Sequence, residues 1–346
     1  MICVLGDLIA DLALHIQNFP VSAKSMQRVT YLELGPGGAA NVAIAAARLG
    51  LEVSCLGEIG GDRFGQLLVE DLQSEGITTD GIIRSGEAAT PVALVVVDEQ
   101  GEPAYLGFRG TLQVRSLLGD WGRRIHGSQA LFADGWADHE RVPQIILGGL
   151  EQARQAQVPV FFDPGPGNPE FDLTWHRAAA ELATVLLLNE SEAERLTGQS
   201  DPTRAAQALL GLGPGMVVVK RGPRGCLVCT RNGVVDQPAI AVPVVDTTGA
   251  GDSLDAAVIY GYLAGMELRP LALLANAAGA AKAQKRGTGR NVPTRAEILA
   301  VLQQAGAQTD VPPPRPALAR GSGHAHVLEI EPVPDLARDQ RAFLGP

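Results

Sequence analysis

Short apolar runs alternate with helix-period segments along most of the chain. Residues 2–5, 53–56, 130–132, 158–162, 185–188, 216–220 and 225–229 are mostly apolar and of strand length, as expected for strands buried on both faces. Residues 41–49, 64–75, 144–155, 190–196, 203–210, 253–264 and 271–284 repeat their apolar positions with helical spacing. A last helix is predicted from Thr294, as its cap, to about residue 305. Such alternation predicts parallel strands joined by right-handed crossovers. The fold class is therefore α/β, a three-layer α/β/α sandwich around a mostly parallel sheet.

Two stretches break the rhythm. Residues 12–34 and 90–108 are rich in β-formers and turn residues, with no helix between strands. The run from Pro91 to Asp98, the polar turn from Glu99 to Glu102 and the run from Pro103 to Phe108 predict a hairpin. Together these stretches predict a small antiparallel sheet projecting from a core made of residues 1–11, 35–89 and 109–308. Beyond the core, Val311-Pro312-Pro313-Pro314-Arg315-Pro316 opens an extended Pro-rich tail over 309–346, with one short strand expected at 326–330. His324 and His326 lack further ligands nearby and read as surface residues.

Composition then narrows the function classes. The 346 residues are 46% hydrophobic but only 4% aromatic, which suits an enzyme core packed with Ala, Val and Leu. A formal net charge of −10 argues against a nucleic-acid partner, which would meet a basic face. It leaves room for an anionic nucleotide held by local amides and a metal ion. No apolar run approaches the ~20 residues of a membrane span, and Met1-Ile2-Cys3-Val4-Leu5 reads as a strand rather than a signal peptide, so a cytoplasmic setting is expected. Cys3, Cys55, Cys226 and Cys229 make no disulfide framework in so long a chain. The last two have metal-like spacing, but without a second Cys/His pair they read as buried thiols on a strand.

The most pointed chemistry lies in Asp246-Thr247-Thr248-Gly249-Ala250-Gly251-Asp252, which leads into an apolar helix. A small-residue turn at a helix N-terminus leaves backbone N–H groups free for an anion, and glycines let a phosphate approach closely. Asp252 stands at the mouth of that site, where a carboxylate repels phosphate. It is either an N-cap or a base beside a transferring phosphoryl group. A second glycine turn, Gly35-Pro36-Gly37-Gly38-Ala39-Ala40-Asn41, leads into a helix ending near Arg48-Leu49-Gly50, with Gly60 beyond it. Between the two turns, Asn189-Glu190-Ser191-Glu192 precedes Leu196-Thr197-Gly198. Asn189 and Glu192 share one face of a first helical turn, and their spacing is equally that of a capping box.

In this order the three segments resemble the two signatures and the NxxE motif of the ribokinase-like (PfkB) family of sugar and nucleoside kinases, over residues 1 to about 305. The resemblance implies an ATP-dependent phosphotransferase using Mg²⁺, with a monovalent cation as a further candidate and a β lid over the substrate cleft. It implies an anion hole at Gly249, Ala250 and Gly251, with Asp252 as general base. Asp11 would accept hydrogen bonds from two neighbouring hydroxyls of the acceptor, with Gly37, Gly38 and Asn41 completing those contacts. For the nucleotide it points to Asn189, Lys220, Gly222, Gly225, Thr247, Asn276 and Gly279, and it has Glu192 hold the metal through water. Asp11 read alone is also a turn or hinge residue, and Asn276 and Gly279 also read as close helix packing.

Departures from the family pattern bear on the acceptor. The glycine turn at Gly37 is one residue shorter than the ribokinase version and lacks its lysine, and Asp163-Pro164-Gly165-Pro166-Gly167-Asn168 departs from fructokinase-like relatives. Leu254 and Ala256 stand where many relatives carry an aromatic and a glycine. The lid offers only Lys24, Arg28 and Arg109, too few for a second phosphate, so a small neutral sugar is the expected acceptor. Arg109 alternatively meets a sugar-acid carboxylate, as in ketodeoxygluconate-type kinases, and a nucleoside is the other alternative. A homodimer through an exposed lid sheet is a further candidate. Outside the class stand a non-catalytic sugar or nucleotide sensor and a dinucleotide oxidoreductase. The latter lacks its glycine fingerprint after the first strand, where Gly6-Asp7-Leu8-Ile9 stands.

Overall fold

In the computed structural model, which describes residues 1–24, 26–101, 103–136, 142–165, 173–307 and 311–313, the apolar runs assemble into one nine-stranded sheet. The chain opens with β1 (Ile2–Leu5) and leaves for a small sheet through β2 (Leu8–His15) and β3 (Tyr31–Gly38), whose glycines run straight into α1 (Ala39–Leu49). It returns to the large sheet through β4 (Val53–Gly60), α2 (Arg63–Ser74) and β5 (Thr78–Ser85), then completes the small one with β6 (Val92–Val97) and β7 (Pro103–Phe108). From there α3 (Gly119–His126), β8 (Leu131–Asp134), α4 (Val142–Gln155), β9 (Val160–Asp163), α5 (Thr174–Leu182), β10 (Val185–Asn189), α6 (Glu190–Thr197), α7 (Pro202–Leu210) and β11 (Met216–Lys220) extend the sheet. The hairpin strands β12 (Cys226–Thr230) and β13 (Gly233–Gln237) end it, and the helices α8 (Ala250–Ala264), α9 (Leu268–Ala283) and α10 (Arg295–Gln304) follow.

The large sheet runs in the order β13-β12-β11-β10-β9-β8-β1-β4-β5. All pairings from β11 to β5 are parallel, and β12 and β13 are antiparallel. Alternate residues of each strand serve opposite cores. Ile2, Val4, Phe132, Phe161 and Leu187 pack with α1, α2, α8, α9 and α10, whereas Cys3, Leu5, Ala133, Phe162 and Leu188 pack with the helices α3 to α7. Burial of both faces is the reason these strands carry unbroken apolar runs. Cys226 and Cys229, three apart on β12, point into the two different cores as free thiols.

Several expectations need correction. The sequence pattern gave no signal for β5, β13, α3 or α5. β5 (Thr-Thr-Asp-Gly-Ile-Ile-Arg-Ser) is a mostly polar edge strand, anchored where Trp121 Nε1 donates to Gly81 O at 2.7 Å. The small sheet, in the order β3-β2-β6-β7, is not wholly antiparallel, because β2 and β6 pair in parallel. The long excursion through α1, β4, α2 and β5 brings the chain back to the same end. Its first two strands run from Leu8 to His15 and from Tyr31 to Gly38, so Asp11 and the glycine turn lie on them. Thr294 does cap α10, in a full capping box with Glu297. The strand expected at 326–330, with His324 and His326, lies outside the described residues, as do residues 166–168 of the Asp163 run and most of the tail.

Candidate functional site

The order of the large sheet reverses beside β1, which has β4 on one side and β8 on the other; crevices at such switch points receive ligands. The N-terminus of α8 arrives here, beyond the carboxyl ends of the strands. Its turn is folded by the buried Asp246, whose Oδ1 accepts from Thr248 N at 2.9 Å and whose Oδ2 accepts from Gly287 N at 2.8 Å. Gly249, with φ at 77°, is the N-cap, and an L side chain would be strained there. Asp252 is therefore the third helical residue and not the cap. Among the described residues the N–H groups of Gly249 and Gly251 have no hydrogen-bond acceptor, whereas Ala250 N donates to Thr247 O at 3.1 Å. The expected three-amide hole thus has two open donors and one already used by the turn.

Asp252 is half-buried and is held by Asn41, whose Nδ2 donates to Oδ2 at 2.8 Å while its own Oδ1 accepts from Gly289 N at 2.8 Å. Burial raises its pKa to about 6, against the opposing pull of Lys220 and the Asn41 hydrogen bond. Asn41, expected to meet the acceptor, is here largely committed to aiming the carboxylate. Lys220, expected to meet the nucleotide, is partly buried at the end of β11. Its Nζ donates to Asp163 Oδ2 at 2.7 Å and to Asp255 Oδ2 at 2.9 Å. Burial alone would discharge this ammonium, but Asp163, Asp255 and Glu192 outweigh burial and hold its pKa above the ordinary lysine value.

The pocket holds more carboxylates than cations. Asp134, at the end of β8, is wholly buried, and burial with Asp7, Asp163 and Asp252 nearby raises its pKa well above the usual range. Its Oδ1 has no hydrogen-bond partner. Gly6 makes room for it, since a Cβ there would stand 2.6 Å from that oxygen. Unpartnered oxygen donors and surplus negative charge fit a hard cation such as Mg²⁺. Among the described residues no group of three His, Cys, Asp or Glu side chains is placed to hold a metal ion. Glu192 is buried in the same pocket, with its pKa raised to about 7 by burial and by Asp163. Its Oε2 accepts from Asn189 N and its Oε1 from Asn189 Nδ2, both at 2.7 Å, so the capping box is built as spelled.

The small sheet supplies the facing wall. Asp11 on β2 is buried, accepts from Thr288 Oγ1 at 3.0 Å, and has its pKa raised to about 7 by burial and by Asp252. Gly37 lies directly beneath it, where a Cβ would fall 2.1 Å from the carboxylate. Gly38, with φ at 57°, caps α1 at a spot where a Cβ would meet Asp7 O at 2.8 Å. Arg109 is exposed at the end of β7.

The remaining nucleotide candidates divide. Gly222 opens an exposed turn, with nothing within 4 Å of the place a Cβ would take, whereas Gly225 is required by packing, because a Cβ would lie 2.1 Å from Gln237 O. Thr247 Oγ1 donates to Gly101 O at 3.1 Å and so ties the turn before α8 to the tip of the β6–β7 hairpin. Asn276 Nδ2 donates to Gln237 O and Pro238 O, both at 3.0 Å, and clamps the segment after β13. Gly279 lets α9 approach the start of α8, with a Cβ 3.3 Å from Ala250 O. Sequence reasoning missed Thr288, Asp134, Asp163, Asp255 and Lys282 as parts of the site. Asp255 carried a signal as the residue one helical turn after Asp252, and Asp163 as the start of the run that departs from fructokinase-like relatives.

Residues 1–295 match the family model described as pfkB family carbohydrate kinase. Over 313 residues the chain is 29% identical to a ribokinase of Mus musculus, covering 87% of this chain and 94% of that protein. It is 29% identical over 317 residues to 5-dehydro-2-deoxygluconokinase 2 of Bacillus cereus, covering 86% and 93%. The ribokinase structure from Thermotoga maritima is similar with a TM-score of 0.72 at 28% identity, covering 87% of this chain and 99% of that one. The chain belongs to the pfkB family of carbohydrate kinases, with the ribokinase-like α/β fold.

Proposed function

We propose that this pfkB-family kinase moves the γ-phosphate of ATP to a hydroxyl of a small neutral sugar. The observation that carries the reading is Asp252: a carboxylate aimed by Asn41, set one turn into a glycine-capped helix beside two open amides. At neutral pH a group titrating near 6 is ionised, yet basic enough to take a hydroxyl proton. Asp11 on the opposite wall binds and orients the acceptor through neighbouring hydroxyls, with Gly37 leaving the space its carboxylate occupies. The amides of Gly249 and Gly251, with the helix dipole behind them, receive the charge of the transferring phosphoryl group. Glu192, with the carboxylates around Lys220, would hold Mg²⁺ through water, and the ion would supply charge neutralisation at the phosphates. Gly222, Thr247, Asn276 and Gly279 border the proposed nucleotide side.

The small sheet is proposed as the lid. Its edge strand β7 exposes Leu106 and Phe108, which supports pairing with a second copy through the lid. Among the described residues no helix is long and apolar enough to cross a membrane, and the four free, buried cysteines suit a reducing, cytoplasmic setting. A sugar acid is the second reading, favoured by the similarity to a deoxygluconokinase and by Arg109 at the lid's edge. The test is ADP release with Mg²⁺ across neutral sugars, sugar acids and nucleosides. Turnover with a neutral sugar supports the proposal, turnover only with an acid or a nucleoside replaces it, and no turnover with any acceptor sinks it.

A further inference from the structure

Lys282 is the one lysine among the described residues that is both wholly buried and without a carboxylate within ion-pair distance. It sits near the end of α9, in a run of alanines. Its ammonium donates to Lys285 O at 2.9 Å and reaches Asp246 O at 3.5 Å. Those carbonyls belong to the two turns, 246–249 and 285–288, that Asp246 also joins through Thr248 N and Gly287 N. The stem of the same side chain lies behind the anion site: a Cβ on Gly249 would meet Lys282 Cε at 3.6 Å and Thr288 Cγ2 at 3.8 Å.

Burying an ammonium with only carbonyl oxygens as partners is costly, so a chain that keeps one has a use for its charge. Burial lowers its pKa to about 8, with Asp246, Asp252 and Glu33 opposing from a distance, so it stays charged at neutral pH. A small cation held by main-chain carbonyls of two turns is an arrangement that also suits a bare monovalent ion. We infer that the Lys282 ammonium is a built-in cation for the phosphate turn, joining the 246–249 and 285–288 turns through their carbonyls and placing positive charge behind Gly249, so that no free monovalent cation is required there. Lys282 is thus a positioning residue for phosphoryl transfer, and the inference rests on the kinase reading above.

The test measures turnover in tetramethylammonium, sodium, potassium and ammonium chloride at matched ionic strength. The parent enzyme is expected to run at the same rate in all four, within about twofold. Lys282→Met is expected to lose about a hundredfold in kcat in tetramethylammonium, with ATP affinity nearly unchanged, and to regain at least about tenfold with potassium or ammonium. Each of three results overturns the inference: a parent activated several-fold by potassium, a Lys282→Met enzyme with parental kcat, or a folded Lys282→Met enzyme that no small cation restores. If Lys282→Met does not fold, Lys282→Gln and the parent's own salt series carry the test. A parent with no turnover in any salt counts against the kinase reading itself, which separates the two failures.

Discussion

The first turns of α1 and α8 are built alike and do different work. Each is capped by a glycine of positive φ, Gly38 and Gly249, with no side-chain cap, and each carries alanine next. Each places its polar residue third, Asn41 on one helix and Asp252 on the other, and these two side chains bond each other at 2.8 Å. Swapping an amide for a carboxylate is the decisive difference. The neutral side chain, satisfied at both ends by Asp252 and Gly289, orients; the charged one, raised by burial, is left able to exchange a proton. In the proposed mechanism these two similarly built helix starts would then serve as holder and base.

The comparison breaks most sharply at the base. Asp252→Asn makes the two positions chemically alike, and turnover is expected to fall by about 10²–10⁴-fold while calorimetric ATP binding persists. Near-parental turnover in that variant would remove Asp252 from the chemistry. Asn41→Asp makes them alike in the other sense. A second carboxylate beside Asp252 disfavours its ionisation, so its pKa rises further. The parent's kcat should fall as pH drops through about 6, because the proton acceptor is then protonated. In Asn41→Asp that acid limb should move up by about one unit or more, and an unmoved limb would show that Asn41 does not tune the base.

Gly37→Ala probes the small-sheet side of the pair. Its Cβ displaces Asp11, so KM for the acceptor should rise about tenfold or more with ATP affinity unchanged. Equal losses for both substrates would point to general misfolding instead. The smallest effect is expected at Asn276→Ala, which loses two hydrogen bonds to the chain after β13. Stability should drop by about 1–2 kcal/mol in denaturant melts with kcat nearly parental, and a large kcat loss would give Asn276 a direct part in turnover beyond its place at the proposed nucleotide side.

Local signals served well where a residue's role is decided by its neighbours in sequence. The capping boxes at Asn189 and Thr294 could be read from side-chain type and spacing, as could the glycine turns at Gly37 and Gly249. Doubly buried strands announced themselves as apolar runs, whereas β5, an edge strand with a mostly polar surface, carried no such mark. The parallel pairing of β2 with β6 depends on where an intervening excursion returns the chain, which no local pattern encodes.

By itself, then, the sequence determined the layered α/β class, the two glycine-led helix starts and the identity of the acid at one of them, because backbone freedom, helical period and capping act over a few residues. Only the tertiary structure decided which charges share a pocket. Asp134 and Asp163 end separate strands, Lys220 ends a third, and Lys282 lies in an alanine-rich helix that gives no hint of its burial. Their pKa values and partners follow from burial and from distances across the fold, and those are set only when the sheet closes and α8 and α9 pack against it.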